Sequence, residues 1–218
     1  MLQVLKSLKV PFAGELDSLD IQEVSAMMEI QAVRISIDTV NWPKFPYKPV
    51  VVVDIARGKS DLYLHYFVRG LSLKALANRD GEYVHTDSCV EFFMRREDES
   101  GYANFEFNCR GICYAARGGG ERNERICLTD KEYKKIRRFS TVRGDAFPEK
   151  KGLYIWDVTV AIPFELMGLD REKLPEKVFG NFYKCADETA WPHYLSWNPI
   201  PLSAPNFHCP DYFGEIYL

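Results

Sequence analysis

The sequence predicts an all-β chain: an antiparallel β-sandwich, immunoglobulin-like or jelly-roll-like, of roughly eight to twelve strands with a few short helices. Three observations predict it. Short runs alternate apolar and polar side chains with period two, the pattern of a half-buried strand. Turn residues punctuate those runs at short intervals. Finally, 14 Phe and 12 Tyr favour a pleated surface over a helical one. With 218 residues, 46% of them hydrophobic, the chain can build a substantial core, and residues 1–218 are read as a single domain.

Nine runs read as strands, at residues 33–37, 50–55, 62–68, 71–77, 89–94, 104–108, 154–162, 180–185 and 212–218. At 154–162, Tyr154, Trp156, Val158, Val160 and Ile162 share one face and Asp157 and Thr159 the other. That run is expected to be a central strand buried on one side. The most informative pair of runs is Asp87-Ser88-Cys89-Val90-Glu91-Phe92-Phe93 and Tyr102-Ala103-Asn104-Phe105-Glu106-Phe107-Asn108. Val90 and Phe92 point one way and Glu91 the other, while Phe105 and Phe107 oppose Asn104, Glu106 and Asn108. Pairing these strands lines up carboxylates and amides on one sheet surface, which suits a polar, hydroxyl-rich ligand. Val90, Phe92, Phe105, Phe107, Trp156, Val158 and Val160 are the expected core.

Helical signal is sparse. Thr129 with Glu132 makes a capping box that opens a helix over 130–138, and Pro163 starts a single turn that runs to Met167 and ends at Gly168. Neither is long enough to organise a βαβ fold.

Composition excludes several function classes. Net charge is −3, and the one basic cluster, Lys134-Lys135-Ile136-Arg137-Arg138, is too short to track a phosphate backbone, so no nucleic-acid partner is expected. Cys89, Cys109, Cys113, Cys127, Cys185 and Cys209 form no CxxC pair and no zinc-type Cys/His spacing. Cys89 and Cys185 read as small buried side chains, and a link between Cys109 and Cys113 depends on the turn between them. No stretch approaches the ~20 apolar residues of a membrane span, and residues 1–9 lack a signal-peptide pattern. The expectation is a protein away from the membrane, cytoplasmic as written, or periplasmic or extracellular if a leader precedes these residues. Gly118-Gly119-Gly120, flanked by Arg117, Glu121, Arg122 and Arg125, lacks the strand-to-helix context of a phosphate cradle. It reads as a hairpin loop that carries an arginine over a ligand.

With these elements in place, the chain resembles the family 9 carbohydrate-binding modules, in particular their stand-alone bacterial branch, whose relatives include the sugar- and haem-binding DOMON domains. The resemblance runs through Asn41-Trp42-Pro43, Tyr47-Lys48-Pro49, residues 87–93, 104–108 with Gly111, 156–164, 180–185, 195–200, 207–210 and Phe213-Gly214-Glu215. It implies a non-catalytic β-sandwich whose cleft binds a mono- or oligosaccharide end, with aromatic rings against the sugar's C–H faces and acids, amides and an arginine on its hydroxyls. Residue by residue, it implies a binding role for Glu91 and, on the next strand, for Asn104 or Glu106. Relatives often carry a tryptophan ahead of the strand acid where this chain has His85, a smaller ring. Trp197 is the candidate opposing ring, unless it packs under the Pro199-Ile200-Pro201 turn; Trp191 and Tyr194 are the substitutes, and Arg122 is the candidate arginine.

Other readings stand beside that one. Glu91 and Glu106 could form a glycosidase pair, and Cys185, His208 and Asp187 a nucleophile set. DOMON relatives imply haem, for which Met94 or Met167 with His65 or His85 are available. Asp80, Glu82 and Asp87, or Asp54 and Asp61, could hold structural calcium, the one cofactor left open. Asn181, Lys184, His208 and Asp187 read as residues that satisfy backbone groups. Oligomeric state leaves no recognisable mark in the sequence.

Overall fold

The computed structural model describes residues 5–119 and 124–218. In chain order its first half holds β1 (Ser7–Lys9), α1 (Ile21–Gln31), β2 (Val33–Ser36), β3 (Thr39–Val40), β4 (Val50–Arg57), β5 (Asp61–Ala75), β6 (Cys89–Arg95) and β7 (Tyr102–Asn108). There follow β8 (Cys113–Gly118), β9 (Arg125–Cys127), α2 (Asp130–Tyr133), β10 (Arg137–Ser140), β11 (Phe147–Pro163), β12 (Lys177–Cys185), β13 (Tyr194–Ser196) and β14 (Gly214–Tyr217). Among the described residues they form two sheets. One is nine-stranded, ordered β1-β14-β12-β6-β7-β8-β9 with β13 and β3 attached through β12; the other is five-stranded, ordered β10-β11-β5-β4-β2. The strands beyond the expected twelve are short, and every strand pairing is antiparallel except the parallel β1–β14 contact.

The period-two reading gives the observed register. Phe92, Phe105, Phe107, Trp156, Val158 and Val160 interlock with Phe182 and Trp197 between the sheets, and all seven expected core residues are buried. Glu91, Asn104 and Glu106 project from the opposite face of the nine-stranded sheet, as alternation requires. That outer face is also covered. Trp42, Phe93, Tyr102, Tyr183, Phe207 and Phe213 build a second apolar layer on it from residues of both the strands and the loops.

Four elements depart from the sequence reading. The runs at 62–68 and 71–77 merge into one strand, β5, which ends at Ala75, because β11 pairs with it on both sides of Gly70, from Phe147 opposite Ala75 to Pro163 opposite Asp61. Beyond Tyr133 the helix expected over 130–138 gives way to strand, because the Arg138 guanidinium is held by both Asp80 oxygens (2.7 and 2.8 Å) and β10 joins β11. β11 is not buried on one side alone. Ala161 lies under α1 in a third apolar cluster with Leu16, Val24, Met28, Ala56 and Tyr63, and Thr159 is fully buried. α1 itself has the sequence signature of a helix start, Asp20 with Glu23, whose Oε2 accepts Asp20 N–H at 3.1 Å.

Close backbone approach explains two glycines. Gly180 and Gly214 are cross-strand partners, and a Cβ on Gly214 would lie 2.5 Å from Trp197 Cζ3 and 2.6 Å from the Lys6 carbonyl oxygen. Gly214→Ala is therefore expected to destabilise the protein by about 1–3 kcal/mol through overpacking. The readout is the urea midpoint; an unchanged midpoint would show that Trp197 and the backbone at Lys6 yield freely.

His193 is buried, with Nδ1 2.7 Å from the Trp191 carbonyl oxygen, while Nε2 has no partner among the described residues. Burial, aided by the Lys184 charge, holds its pKa well below the ordinary value. The native state thus keeps His193 neutral while the unfolded chain protonates it below about pH 6.5. Stability from this residue is complete above that pH and falls below it by up to about 1.4 kcal/mol per pH unit. The stability difference between the natural protein and His193→Gln should change along that slope between pH 7 and pH 5; a constant difference would contradict the assignment.

Candidate functional site

Pairing registers across four strands place Tyr183, Glu91, Glu106 and Tyr114 in a single row on the outer face of the nine-stranded sheet. Glu91 and Glu106 are direct cross-strand neighbours, so their Cβ atoms stand about 5 Å apart. Above this row the second apolar layer leaves a cavity of about 180 Å³. Glu91 and Glu106 line it together with Cys185, Asp187 and Arg125. Its aromatic lining is Tyr83, His85, Tyr114, Tyr194, Phe207 and His208.

The rings form two groups. Tyr83 is exposed, 5.2 Å from Tyr114 and 5.5 Å from His85 between ring centroids, beside the Glu106 end of the row. Phe207 stacks on Tyr183 at 4.2 Å and meets Tyr194 at 6.2 Å, beside the Glu91 end. His208 is fixed through Nδ1 to the Tyr102 hydroxyl at 2.7 Å.

Polar partners hold the acids in place. Glu106 Oε1 accepts from Asn104 Nδ2 at 3.0 Å, and Asn104 Oδ1 in turn accepts from Arg125. Arg125 also donates to the Ala116 carbonyl at 2.8 Å and stacks over the Tyr102 ring at 3.6 Å. Cys185 Sγ donates to Glu91 Oε1 at 3.0 Å, with Cys89 Sγ 3.8 Å from the same oxygen. Burial pushes the Glu91 carboxyl up to about 7, opposed by thiol donation from Cys185 and reinforced by the charge of Asp187. Asp187 is itself raised to about 6 by burial, and the Cys89 thiol is pushed up to about 12. A carboxyl of this kind, poised between its two forms near neutral pH, can accept or donate a hydrogen bond.

Asp87 fixes the loop that enters β6. Its carboxylate accepts from Leu76 N (2.8 Å), Ala77 N (3.0 Å) and Asn108 Nδ2 (3.0 Å), which ties the end of β5 to β7. Asn181 and Asn198 do the same for the loop after β13: Asn198 N–H donates to Asn181 Oδ1 at 2.8 Å, and Asn198 Nδ2 to the Tyr212 carbonyl at 2.8 Å.

Of the residues expected at the site, His85, Glu91, Glu106 and Tyr194 line the cavity, and Asn104 lies beneath it as a fully buried support for Glu106 and Arg125. Trp197 does not line it. It is 4% exposed in the core between the sheets, edge-on to Phe182 at 5.8 Å, which corrects its expected role as the opposing ring and makes it a packing residue. Trp191 also lies off the cavity, against Tyr47 and Lys151. Arg122 lies outside the described residues. The arginine that the structure brings to the cavity is Arg125, from the same hairpin. Asp187 and His208, read as backbone-satisfying residues, line the cavity instead, while Asn181 keeps that structural role. Tyr83, Tyr114 and Phe207 were not expected; Tyr83 sits two residues before His85, the spacing that could have paired them.

The remaining candidates have other surroundings. Met94 and Met167 belong to the core cluster, and His65 Nδ1 lies 2.8 Å from Thr159 Oγ1, so none faces a haem-sized space with its proposed partner. Asp80 is held by Arg138, Asp54 by Arg34 at 2.6 Å and Asp87 by three N–H donors, so the acids singled out for calcium already have protein partners. Cys185 and His208 line the same cavity but engage Glu91 and Tyr102. Among the described residues no helix is long and apolar enough to cross a membrane.

A β-sandwich with a small, acid-floored and aromatic-walled cavity on one sheet face has the form of a small-molecule binding module. Residues 21–218 match the pattern of carbohydrate-binding family 9. The chain belongs to that family. A protein from Bacteroides uniformis to which carbohydrate binding is ascribed has the same structure with a TM-score of 0.92 and 34% identity, over 98% of this chain and 99% of that one. A family 9 module from Caldicellulosiruptor kristjanssonii solved with glucose aligns at a TM-score of 0.52 and 12% identity, over 97% of this chain and 95% of that one. The structure of such a module from that organism with cellotriose aligns at 0.50 and 12% identity, over 97% and 93%. No protein of curated function matches the sequence.

Proposed function

We propose that the cavity over the Glu91–Glu106 row binds the end of a mono- or oligosaccharide without catalysing a reaction on it. The observation that carries this reading is the cross-strand carboxylate pair at the floor of an aromatic-walled cavity with room for about one sugar ring. A pyranose has a rim of hydroxyls that can donate to Glu91 and Glu106, and C–H faces that pack on tyrosine and phenylalanine rings. Arg125 supplies the cationic contact. Family membership and the glucose and cellotriose complexes of the Caldicellulosiruptor modules support the ligand class.

The setting of the two acids favours binding over hydrolysis. A glycosidase pair flanks the scissile bond, with the leaving group protonated from one side and attack from the other. Glu91 and Glu106 stand side by side on adjacent strands of one sheet face, tied to Cys185 and Asn104, and membership of a carbohydrate-binding family supports binding as their role.

Calorimetric titration with a panel of mono- and oligosaccharides tests the reading, with saturable binding at one site as the expected result. Tryptophan fluorescence should change little at saturation, since none of Trp42, Trp156, Trp191 and Trp197 lines the cavity wall. Absence of binding across the panel would overturn the proposal.

A further inference from the structure

The floor of the cavity has a second chemistry, distinct from hydroxyl recognition. Cys89 and Cys185 are cross-strand partners on β6 and β12, and Glu91 follows Cys89 by two residues, so all three side chains leave the sheet on one face. Their ligand atoms, two Sγ and one carboxylate oxygen, all lie within 4.8 Å of one another, and all three residues are buried. Glu91 Oε1 stands 3.0 Å from Cys185 Sγ and 3.8 Å from Cys89 Sγ. Around a tetrahedral ion with metal–sulfur and metal–oxygen bonds of about 2.3 and 2.0 Å, neighbouring ligand atoms are roughly 3.5 Å apart. The cluster thus has ligand spacings close to those of a metal shell before any side chain moves.

We propose that Cys89, Cys185 and Glu91 form a binding site for a thiophilic divalent cation of the zinc class, with the fourth position open to the cavity. Two sulfur ligands favour a borderline-soft ion over calcium or magnesium, whose shells are built from oxygen. On binding, each thiol releases its proton to solvent and coordinates as thiolate, and Glu91 coordinates as carboxylate. The resulting centre carries a net negative charge, and a counter-charge is at hand. Lys184 is buried, forms no salt bridge among the described residues, and places Nζ 2.6 Å from the Cys185 carbonyl. Asp187 lines the cavity nearby, and its Oδ1 is buried with no hydrogen-bond partner among the described residues, an acceptor for a metal-bound water in the fourth position. The two cysteines lie far apart in sequence, which is why no spacing motif announces them.

The test is a cobalt titration of the purified full chain, stripped of metal and kept reduced by a phosphine. A thiolate-to-cobalt charge-transfer band that saturates at one equivalent and is bleached by zinc is the expected result. Cys185→Ser and Cys89→Ser should each weaken cobalt binding more than about tenfold, whereas Cys127→Ser, at the exposed cysteine away from the cluster, should leave it unchanged. No thiolate band in the natural protein, or a band that persists in Cys185→Ser or disappears in Cys127→Ser, would overturn the proposal. The natural-protein titration decides the matter even if the cysteine variants do not fold, and it needs no saccharide, so its outcome is separable from that of the sugar titrations.

Discussion

Replacing Asp87 by alanine is expected to cost about 3–5 kcal/mol of folding stability, the largest effect of any single substitution at this site. The substitution removes the one acceptor for three N–H donors, on Leu76, Ala77 and Asn108. Each donor left without a partner in a buried setting costs about 1–3 kcal/mol. Ala77 and Asn108 are both buried, so water compensates poorly for the loss. Asp87→Asn should fall between the two, since one amide oxygen still accepts while its NH2 group faces a donor. Urea denaturation of the three proteins measures the series. A loss below about 1 kcal/mol for Asp87→Ala would show that the loop relaxes to find other acceptors. Saccharide affinity should fall with stability in this series, because Asp87 fixes the turn that carries His85 and leads into the Glu91 strand.

Glu91→Gln is expected to have the opposite profile. The carboxylate forms no salt bridge among the described residues, is buried, and has its pKa pushed up to about 7 by that burial despite the nearby Lys184 charge, so its desolvation already weighs against the native state. The isosteric amide removes that cost, and stability should stay level or rise. Saccharide binding should weaken by about 1–3 kcal/mol, the scale of a lost charge-assisted hydrogen bond. Calorimetry and thermal unfolding on the same preparation separate the two effects. A large fall in melting temperature with unchanged affinity would make Glu91 a structural residue and leave Glu106 to carry the binding role.

Much of this was legible in the sequence because a strand has only two faces. Once 89–94 and 104–108 are strands, alternation alone sends Val90, Phe92, Phe105 and Phe107 one way and Glu91, Asn104 and Glu106 the other. The same argument fails for loops and for pairing partners. Trp197 and Tyr83 are both large aromatic residues, yet one lies between the sheets and the other at the cavity mouth. That difference is set by which strands are neighbours, and no local period records it. The sequence reading put Arg122 at the site from the same glycine-rich segment that carries Arg125; the pairing of Arg125 with Gly118 on β8 is what aims Arg125 at Asn104 and Tyr102. α1 was legible and missed: Asp20 and Glu23 have the same capping-box spacing that located Thr129 and Glu132.

The central claim, that a saccharide end sits over the carboxylate row, is tested most directly by the crystal structure of the protein with its tightest-binding saccharide. The account predicts one terminal ring inside the cavity, hydroxyl oxygens about 2.5–3.0 Å from the Glu91 or Glu106 carboxylate, and C–H groups against the surrounding aromatic rings. A saccharide bound elsewhere on the molecule, with the cavity holding only solvent, would contradict it.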